Sequence, residues 1–452
     1  MKKILFLIGG LLSSLIINAQ IIGYNDAAIL FSSQEINGSA RFNAMSGAFG
    51  ALGGDLSAGD INPAGLAVFK NSEASISFGL RDTDITSNFA GTSTLNNNNY
   101  FNLNQGGGVL VFNTRSHSGF KKIALGLNYS VSKDFENSWL ATGSSVDQNG
   151  IAITPLTNIY DPDVIYPNAE DQAFENFTDG ANKKLVLTFA AQPNDKLFFG
   201  ASLVTHDIEY NQIAYADEFN NDGNGNTFDV SAKEQLITYG TGVSLNFGLI
   251  AKPSQEVRLG VSVQTPTWYE LSEELTTFDD VLFFNGSPDI NRDIADINVF
   301  DYNVVSPAKL TGSFAYLFGK EGLLSVDYTY TDFKNTKLKP TSTFTGENQD
   351  FSNLLEGSSQ FRVGAEWRLD NVSLRGGYHF EENPYIDAID SDDITGYSLG
   401  IGFKFKGNMK LDLAYQNSKN TSTSSLLNDL RTDIAELDTT NDKFTATLVI
   451  GL

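Results

Sequence analysis

The chain has no cysteine in 452 residues, only three histidines, and 30 basic residues against 54 acidic ones. Without cysteine there is no disulfide framework and no thiolate, so an exported form must be held by packing or by a closed sheet. The shortage of positive charge, a formal −24 overall, leaves no basic stripe for phosphate contacts and excludes nucleic acid as a partner. The histidines stand at 117, 206 and 379, and no His, Cys or Tyr pair has haem-ligand spacing. No catalytic constellation stands out, and neither an enzyme nor a cofactor or resident metal is expected. Long apolar runs are also missing beyond the first nineteen residues, so a membrane crossing must be made by strands closed into a barrel.

Those first residues read as a separate unit. "MKKILFLIGGLLSSLIINA" sets Lys2 and Lys3 before a short apolar run and closes on Ile17-Asn18-Ala19, a small-residue cleavage pattern. This is the layout of a secretory signal peptide over 1–19, and no cysteine follows the site to carry a lipid anchor.

What the chain does contain is Phe (33), Tyr (17) and Gly (41), arranged with a period of two. "KIALGLNYSV" puts Leu125, Leu127 and Tyr129 on one face and Gly126, Asn128 and Ser130 on the other. "FRVGAEWRL" opposes Phe361, Val363, Ala365, Trp367 and Leu369 to Arg362, Gly364, Glu366 and Arg368. Both are strand patterns whose polar face carries charges, as a lumen wall would. Short turn sequences such as "QPNDK", "KPSQE" and "KGNM" alternate with long connections near 83–100, 133–182, 211–233, 270–307, 335–358, 381–394 and 419–441. Short turns on one side and long loops on the other is the plan of an outer-membrane barrel, and about fourteen strands fit between Glu73 and Leu452. Tyr129, Tyr330, Tyr378, Tyr415 and Trp268 fall toward the long-loop ends as an aromatic girdle. A soluble sandwich also alternates but need not sort its loops by length.

One stretch fits no strand. "GSARFNAMSGAFGALGGDLSAGDINPAGLAVF" is dense in small residues, and Asn62-Pro63 is turn chemistry. A barrel of about fourteen strands is too wide for wall side chains to fill, so a compact segment over 20–72 suits a plug in the lumen. The same stretch resembles the N-terminal hatch of the FadL/TodX group of outer-membrane transporters for hydrophobic compounds, with its Asn-Pro-Ala motif at Asn62, Pro63 and Ala64, followed by Gly65. "RLGVSVQTPTWYEL" and "FRVGAEWRL…VSLRGGYHFEENPY" match that family's late strands. The resemblance implies an all-β transmembrane antiparallel barrel over 73–452, a hatch over 20–72, and passive uptake of hydrophobic small molecules such as long-chain fatty acids. It also implies a kinked strand near the hatch that opens the wall sideways. Gly106-Gly107-Gly108 is the kink candidate in this sequence, although it falls in the second strand where the family kinks its third. The chain further departs from the family in ending on Leu452 rather than an aromatic residue.

Capture of an apolar solute calls for an apolar surface in the long loops. One candidate holds Ile159, Tyr160, Val164, Ile165, Tyr166, Phe174 and Phe177. The other holds Trp268, Tyr269, Leu275, Phe278, Leu282, Phe283 and Phe284. Inside, Arg258, Arg362, Arg368, Arg375, His379 and Lys404 could hold a carboxylate, or could form ladders with Glu366, Asp327 and Asp412. Residues 220–229 carry an acidic and amide spacing like a calcium loop, but they lack the first acidic ligand and the closing glutamate, so they read as a loop tip. The expected partners are outer-membrane lipid, lipopolysaccharide and the hydrophobic solute, with the protein as a monomer. The rival function is a structural or adhesive outer-membrane barrel with a shut lumen.

Overall fold

A computed structural model describes residues 21–114, 119–144, 156–157, 165–288, 293–425 and 434–452. The signal-peptide reading over 1–19, His117, and the loop candidates Ile159, Tyr160 and Val164 lie outside the described residues.

Fourteen antiparallel wall strands follow one another in chain order. They are β1 (Glu73–Phe89), β2 (Thr92–Asn113), β3 (Lys122–Asp134, continued by Asn137–Gly143), β4 (Asn168–Asn194) and β5 (Leu197–Asn221). β6 (Thr227–Ala251) leads to β7, which runs as Val257–Gln264, Trp268–Phe278 and Val281–Phe284. β8 comprises Ser287–Pro288, Ile294–Val305 and Lys309–Phe318, and β9 comprises Gly322–Asp332 and Lys337–Lys339. β10 (Gly357–Leu369), β11 (Val372–Glu381), β12 (Ile394–Lys404), β13 (Met409–Ser425) and β14 (Ile434–Gly451) complete the wall. β14 pairs with β1 from Glu73↔Gly451 to Asn88↔Glu436, so the sheet closes on itself. Closure leaves no edge along the wall, as a membrane interior without water demands.

Alternation sorts the two faces. Ile76, Phe78 and Leu80 of β1, Leu185, Leu187 and Phe189 of β4, and Phe444 and Ile450 of β14 all point outward and are exposed. Such a continuous apolar belt would be a liability in water; in lipid it is the buried face. Above the belt the pattern inverts. Asp82 and Asp84 of β1 alternate with inward Thr83, Ile85 and Phe89, and Ile85 and Phe89 pack with Phe174, Ala216, Ala435 and Leu437 inside. Polar outside and apolar inside is what a barrel wall standing in water requires.

That inversion revises the loop reading. Most of 83–100, 211–233, 270–307 and 419–441 is strand, because alternation persists there with the faces exchanged. Among the described residues, 335–358, with a helix at Thr345–Leu354, and the largely irregular 381–394 keep the character of long connections. Pro266 and Pro307 interrupt β7 and β8 at facing positions, where a missing N–H cannot serve the ladder. Thr267 and Ser306 bridge this gap, the Thr267 N–H donating to Ser306 Oγ at 2.9 Å and the Ser306 N–H to Thr267 O at 3.0 Å.

Candidate functional site: the filled lumen and a break in the wall

Residues 21–72 lie inside the barrel as helices α1 (Tyr24–Ser32), α2 (Ala40–Asn43) and α3 (Ala58–Ile61), then a 3-10 turn over Pro63–Val68. The lower part, from Ser39 onward, is fastened to the wall by short polar contacts. The Ala40 N–H donates to Thr447 Oγ1 (2.7 Å), Asn43 Nδ2 to Thr445 Oγ1 (3.0 Å), and the Gly50 N–H to Asp327 Oδ2 (2.8 Å). Asn62 joins three segments. Its Oδ1 accepts the Ala64 N–H at 3.1 Å, and its Nδ2 donates to Gly50 O (2.7 Å) and Leu249 O (3.2 Å). Pro63 opens the 3-10 turn, where no N–H is needed. Ala64 is fully buried, and the carbonyl of Gly65 accepts the Gly54 N–H at 3.1 Å. The wall opposite is glycine. A Cβ on Gly248 would fall 1.9 Å from Asn62 Oδ1, and one on Gly200 2.4 Å from the Pro63 carbonyl carbon.

The upper lumen is apolar and α1 occupies it. Phe31 meets Phe135 and Tyr210 edge-on at 5.8 and 5.7 Å, and Tyr24 meets Tyr302 and Phe344 at 5.3 Å each. Burial and the neighbouring Glu273 push the Tyr24 phenol up to about 12, so it stays a neutral donor. Beneath α1, Asn182 donates to Phe31 O (3.2 Å) and shares a hydrogen bond with His206 Nδ1 (2.9 Å). A mouth cavity of about 800 Å³ sits above, lined by Ile21, Ile22, Trp139, Tyr210, Tyr385 and Ile389 among others. Nothing in the sequence marks Trp139 or the residues of α1, since neither stands in an apolar loop cluster.

The wall itself is broken between β2 and β3. Their ladder runs only from Gln105↔Ser130 to Asn113↔Lys122. Higher up, at the level of the outward Phe101 and Leu103, side chains span the gap. Asn98 Nδ2 donates to Ser138 O (2.8 Å), Asn102 Nδ2 to Asp134 Oδ2, and Arg81 to the Glu136 carbonyl. The asparagines of "NNNNYFNLNQ" therefore replace backbone pairs. Two bulges flank the break. Ser132 is the extra residue of β3 opposite β4, and Asn104 that of β2 opposite β1. Gly106-Gly107-Gly108 keeps regular register on both sides, so the irregularity lies beside the glycines rather than in them. The N-terminal segment covers the bulge of the third strand: the Glu35 N–H donates to Ser132 O (2.8 Å), Asn37 Nδ2 donates to Val131 O (3.0 Å), and the Glu35 carboxylate sits 3.1 Å from Lys133 Nζ.

This constellation has solved counterparts. The chain has the fold of the FadL and TodX barrels. It overlays a Pseudomonas aeruginosa FadL homologue with a TM-score of 0.60 at 16% identity, covering 93% of this chain and 99% of that one. The P. putida toluene transporter TodX gives 0.55 at 13% identity with 92% and 99% covered, and the Ralstonia pickettii toluene transporter TbuX 0.51 at 16% with 91% and 98%. No protein-family model matches the chain, and no curated protein sequence does. A closed fourteen-strand barrel with this belt has the architecture of an outer-membrane protein.

On the FadL/TodX frame, the predicted site residues fall in three places. Trp268 points outward among lipid-facing side chains, whereas Tyr269 is buried in the upper lumen, because neighbours in a strand face opposite ways. Phe278 lies under Lys233 Nζ (4.2 Å), and Phe284 stacks on Phe228 at 4.7 Å beside Leu282, with Phe283 on the same hairpin tip. These rings pack a strand extension and do not line the mouth cavity. Arg375 pairs with Glu366 (2.8 Å) and Asp412 (2.6 Å), and Arg41 and Arg368 share Glu366 at 2.7 and 2.6 Å. That is the ladder arrangement. Arg362 forms no ion pair among the described residues; it donates to Gln360 (2.8 Å) and lines a 40 Å³ cavity with Lys309. His379 Nδ1 is 3.4 Å from Ser46 Oγ, which in turn meets Ser398 Oγ at 2.8 Å. The run Gly396-Tyr397-Ser398-Leu399-Gly400 has the letters of a hydrolase elbow, yet it lies mid-strand in β12 with no turn to expose the serine. The tip at 220–229 closes on itself, with Asp222 Oδ1 accepting the N–H groups of Asn224 and Asn226. No acidic or histidine group suited to a metal exists among the described residues.

Proposed function

We propose that the protein carries hydrophobic small molecules passively across the outer membrane, with residues 20–72 as a hatch distinct from the barrel of 73–452. The solute enters the mouth cavity beside Trp139 and Ile389, displaces α1 from the apolar upper lumen, and leaves through the β2–β3 break. The observation that carries this reading is the unpaired stretch of wall whose bulge is capped by Glu35 and Asn37 of the N-terminal segment. A ladder gap bridged by side chains costs far less to part than backbone pairs in lipid. Phe101 and Leu103 point outward on either side of Asn102, so the polar lining of the break borders the apolar belt directly. Arg362, Arg375 and His379 belong to the lower lumen in this scheme, away from the capture surface.

The cysteine-free chain makes the test clean. Asn102→Cys with Asp134→Cys, joined by a short bis-maleimide, should lower toluene or decane uptake into proteoliposomes at least fivefold. Each single cysteine treated alike should leave it unchanged. Equal uptake by the cross-linked barrel would exclude the sideways exit, and no uptake by the unmodified barrel would favour a shut structural or adhesive barrel.

A further inference from the structure

Above the belt, β8 outruns its neighbour β9 and becomes an edge. Its residues 294–305 pair with β7 along one side, from Phe278↔Ile294 to Trp268↔Val305. On the other side only Asn303, Val304 and Val305 have partners, in Lys337–Lys339 of β9. Pro340 follows, and with no N–H to offer it cannot carry that strand higher. Among the described residues, no strand lies beside 294–302 on this side. Such an edge presents unpaired N–H and C=O groups at every second residue, a template for another chain. Tyr302 and Val304 are buried in the upper lumen, so Ile297 and Val299 face outward and Asn298 and Phe300 inward. Ile294, Ile297, Val299 and Phe300 are all exposed. Val299 stands opposite Glu274, where a wall in water would carry a second polar residue.

The charge along this edge has one sign. Asp293, Asp296 and Asp301 belong to the run itself, Glu270 and Glu274 to the strand beside it, and neither 268–284 nor 293–308 contains a lysine or arginine. Asp296 accepts the Ile297 N–H (2.9 Å) and Asn298 Nδ2 (2.8 Å), contacts that leave its charge uncompensated. None of the three aspartates forms an ion pair among the described residues. A second copy of the chain would bring the same acids to the edge and be repelled. A lipid or a sugar has no alternating N–H and C=O to complete the ladder. From this juxtaposition we propose that the upper edge of β8 docks a basic peptide segment of another protein, added to the wall as an extra antiparallel strand. Backbone pairing supplies the affinity of such an addition, and alternate side chains its specificity. The strand takes over the line of Lys337–Lys339 above Pro340, with apolar residues beside Val299 and Phe300 and basic ones opposite Asp301 and Asp296. The inference is independent of the transport reading, because it concerns an edge of the wall and not the lumen.

The probe is an end-capped synthetic peptide of valine, phenylalanine and threonine with two lysines, spaced to face Asp301 and Asp296. In neutral detergent, every second amide of 295–302 in the full-length barrel should exchange hydrogen quickly and slow about tenfold when the peptide is added. N-methylation of one alternate set of the peptide's amides should abolish binding. Methylation of the other set should leave it within about twofold, since only one side of an added strand meets the edge. Glutamates in place of the lysines should weaken binding about tenfold, and Asp296→Lys/Asp301→Lys, its fold certified by heat-modifiability, should restore it. Equal loss from both methylated sets, or indifference to both, overturns the added strand. Indifference to the change from lysine to glutamate overturns the basic partner. Edge amides already protected in the free monomer would show that the chain covers the edge itself, and dimers that the peptide dissociates would show that a second copy does. Either result overturns the proposal, as does failure of the lysine peptide to bind.

Discussion

Asn62 shows how one side chain can fasten a turn where water cannot help. Its amide meets three backbone groups, and losing them leaves buried donors and acceptors unpaired at a cost of about 1–3 kcal/mol. The wall glycines make that fit possible. Gly248→Ala should force the turn away, since the new Cβ would sit 1.9 Å from Asn62 Oδ1 and 2.9 Å from Pro63 Cδ. The sheet itself keeps its register, so heat-modifiability should be normal. A single cysteine placed at the buried Ser57 should then react with a periplasmic maleimide several times faster in the Gly248→Ala background. Unchanged labelling would show that the turn is not fastened at this contact. Asn62-Pro63 is legible in the sequence because its chemistry is local. Gly248 is not, because a glycine in a strand carries no sign of what faces it across the lumen.

At the scale of elements, the strap over residues 33–38 joins α1 to the lower segment and caps the bulge of β3. Glu35 is its charged contact. Burial alone would raise this carboxyl, but the charges of Lys133, Arg81 and Lys443 outweigh it and hold it below the usual 4.5. A carboxylate whose folded value is depressed contributes fully above the unfolded value and loses that contribution as pH falls through the folded one. The strap should therefore hold at pH 5 and above and loosen below pH 4.5, as the carboxyl protonates. A cysteine at Ser33 should label faster as pH is lowered through that range, after correction for intrinsic thiol reactivity with an unfolded control. In Glu35→Gln the faster labelling should already be present at pH 7. A flat profile in the wild type would show that the ion pair does not hold the strap. Phe283 and Phe284 point the other way. Because Phe284 stacks on Phe228 at an extension tip, changing both to Ser should leave uptake kinetics intact and loosen only that hairpin. The sequence exposes such apolar clusters but cannot say whether they face a cavity or one another. Nor does it announce the β2–β3 break, since the asparagines of β2 alternate like any strand and their partners lie some forty residues on.

For the molecule as a whole, closure and filling are separate achievements. The period of two, the short turns and the even strand number are all legible in the amino-acid sequence, because each follows from local alternation and turn chemistry. The extent of the wall above the belt is not, since polarity inverts where lipid gives way to water. Closure rests on the β1–β14 ladder from Glu73 to Asn88, none of it contributed by residues before 73. Filling rests on 21–72, whose lower part is anchored to Asp327, Thr445, Thr447 and Glu366 and whose upper part is α1 in its apolar chamber. Two deletions, each retaining residues 1–20, should therefore differ in kind. Removing 21–72 should give a heat-modifiable barrel with stepwise ion conductance in planar bilayers, because a fourteen-strand lumen stays wet once emptied. Removing only 21–37 should leave the lower segment in place and ions excluded, while vacating the apolar chamber and speeding equilibration of a bound hydrophobic dye. A barrel that stays ion-tight without 21–72 would mean that the wall alone closes the lumen. A 21–37 deletion that conducts ions would mean that α1, not the turn at Asn62, is the seal.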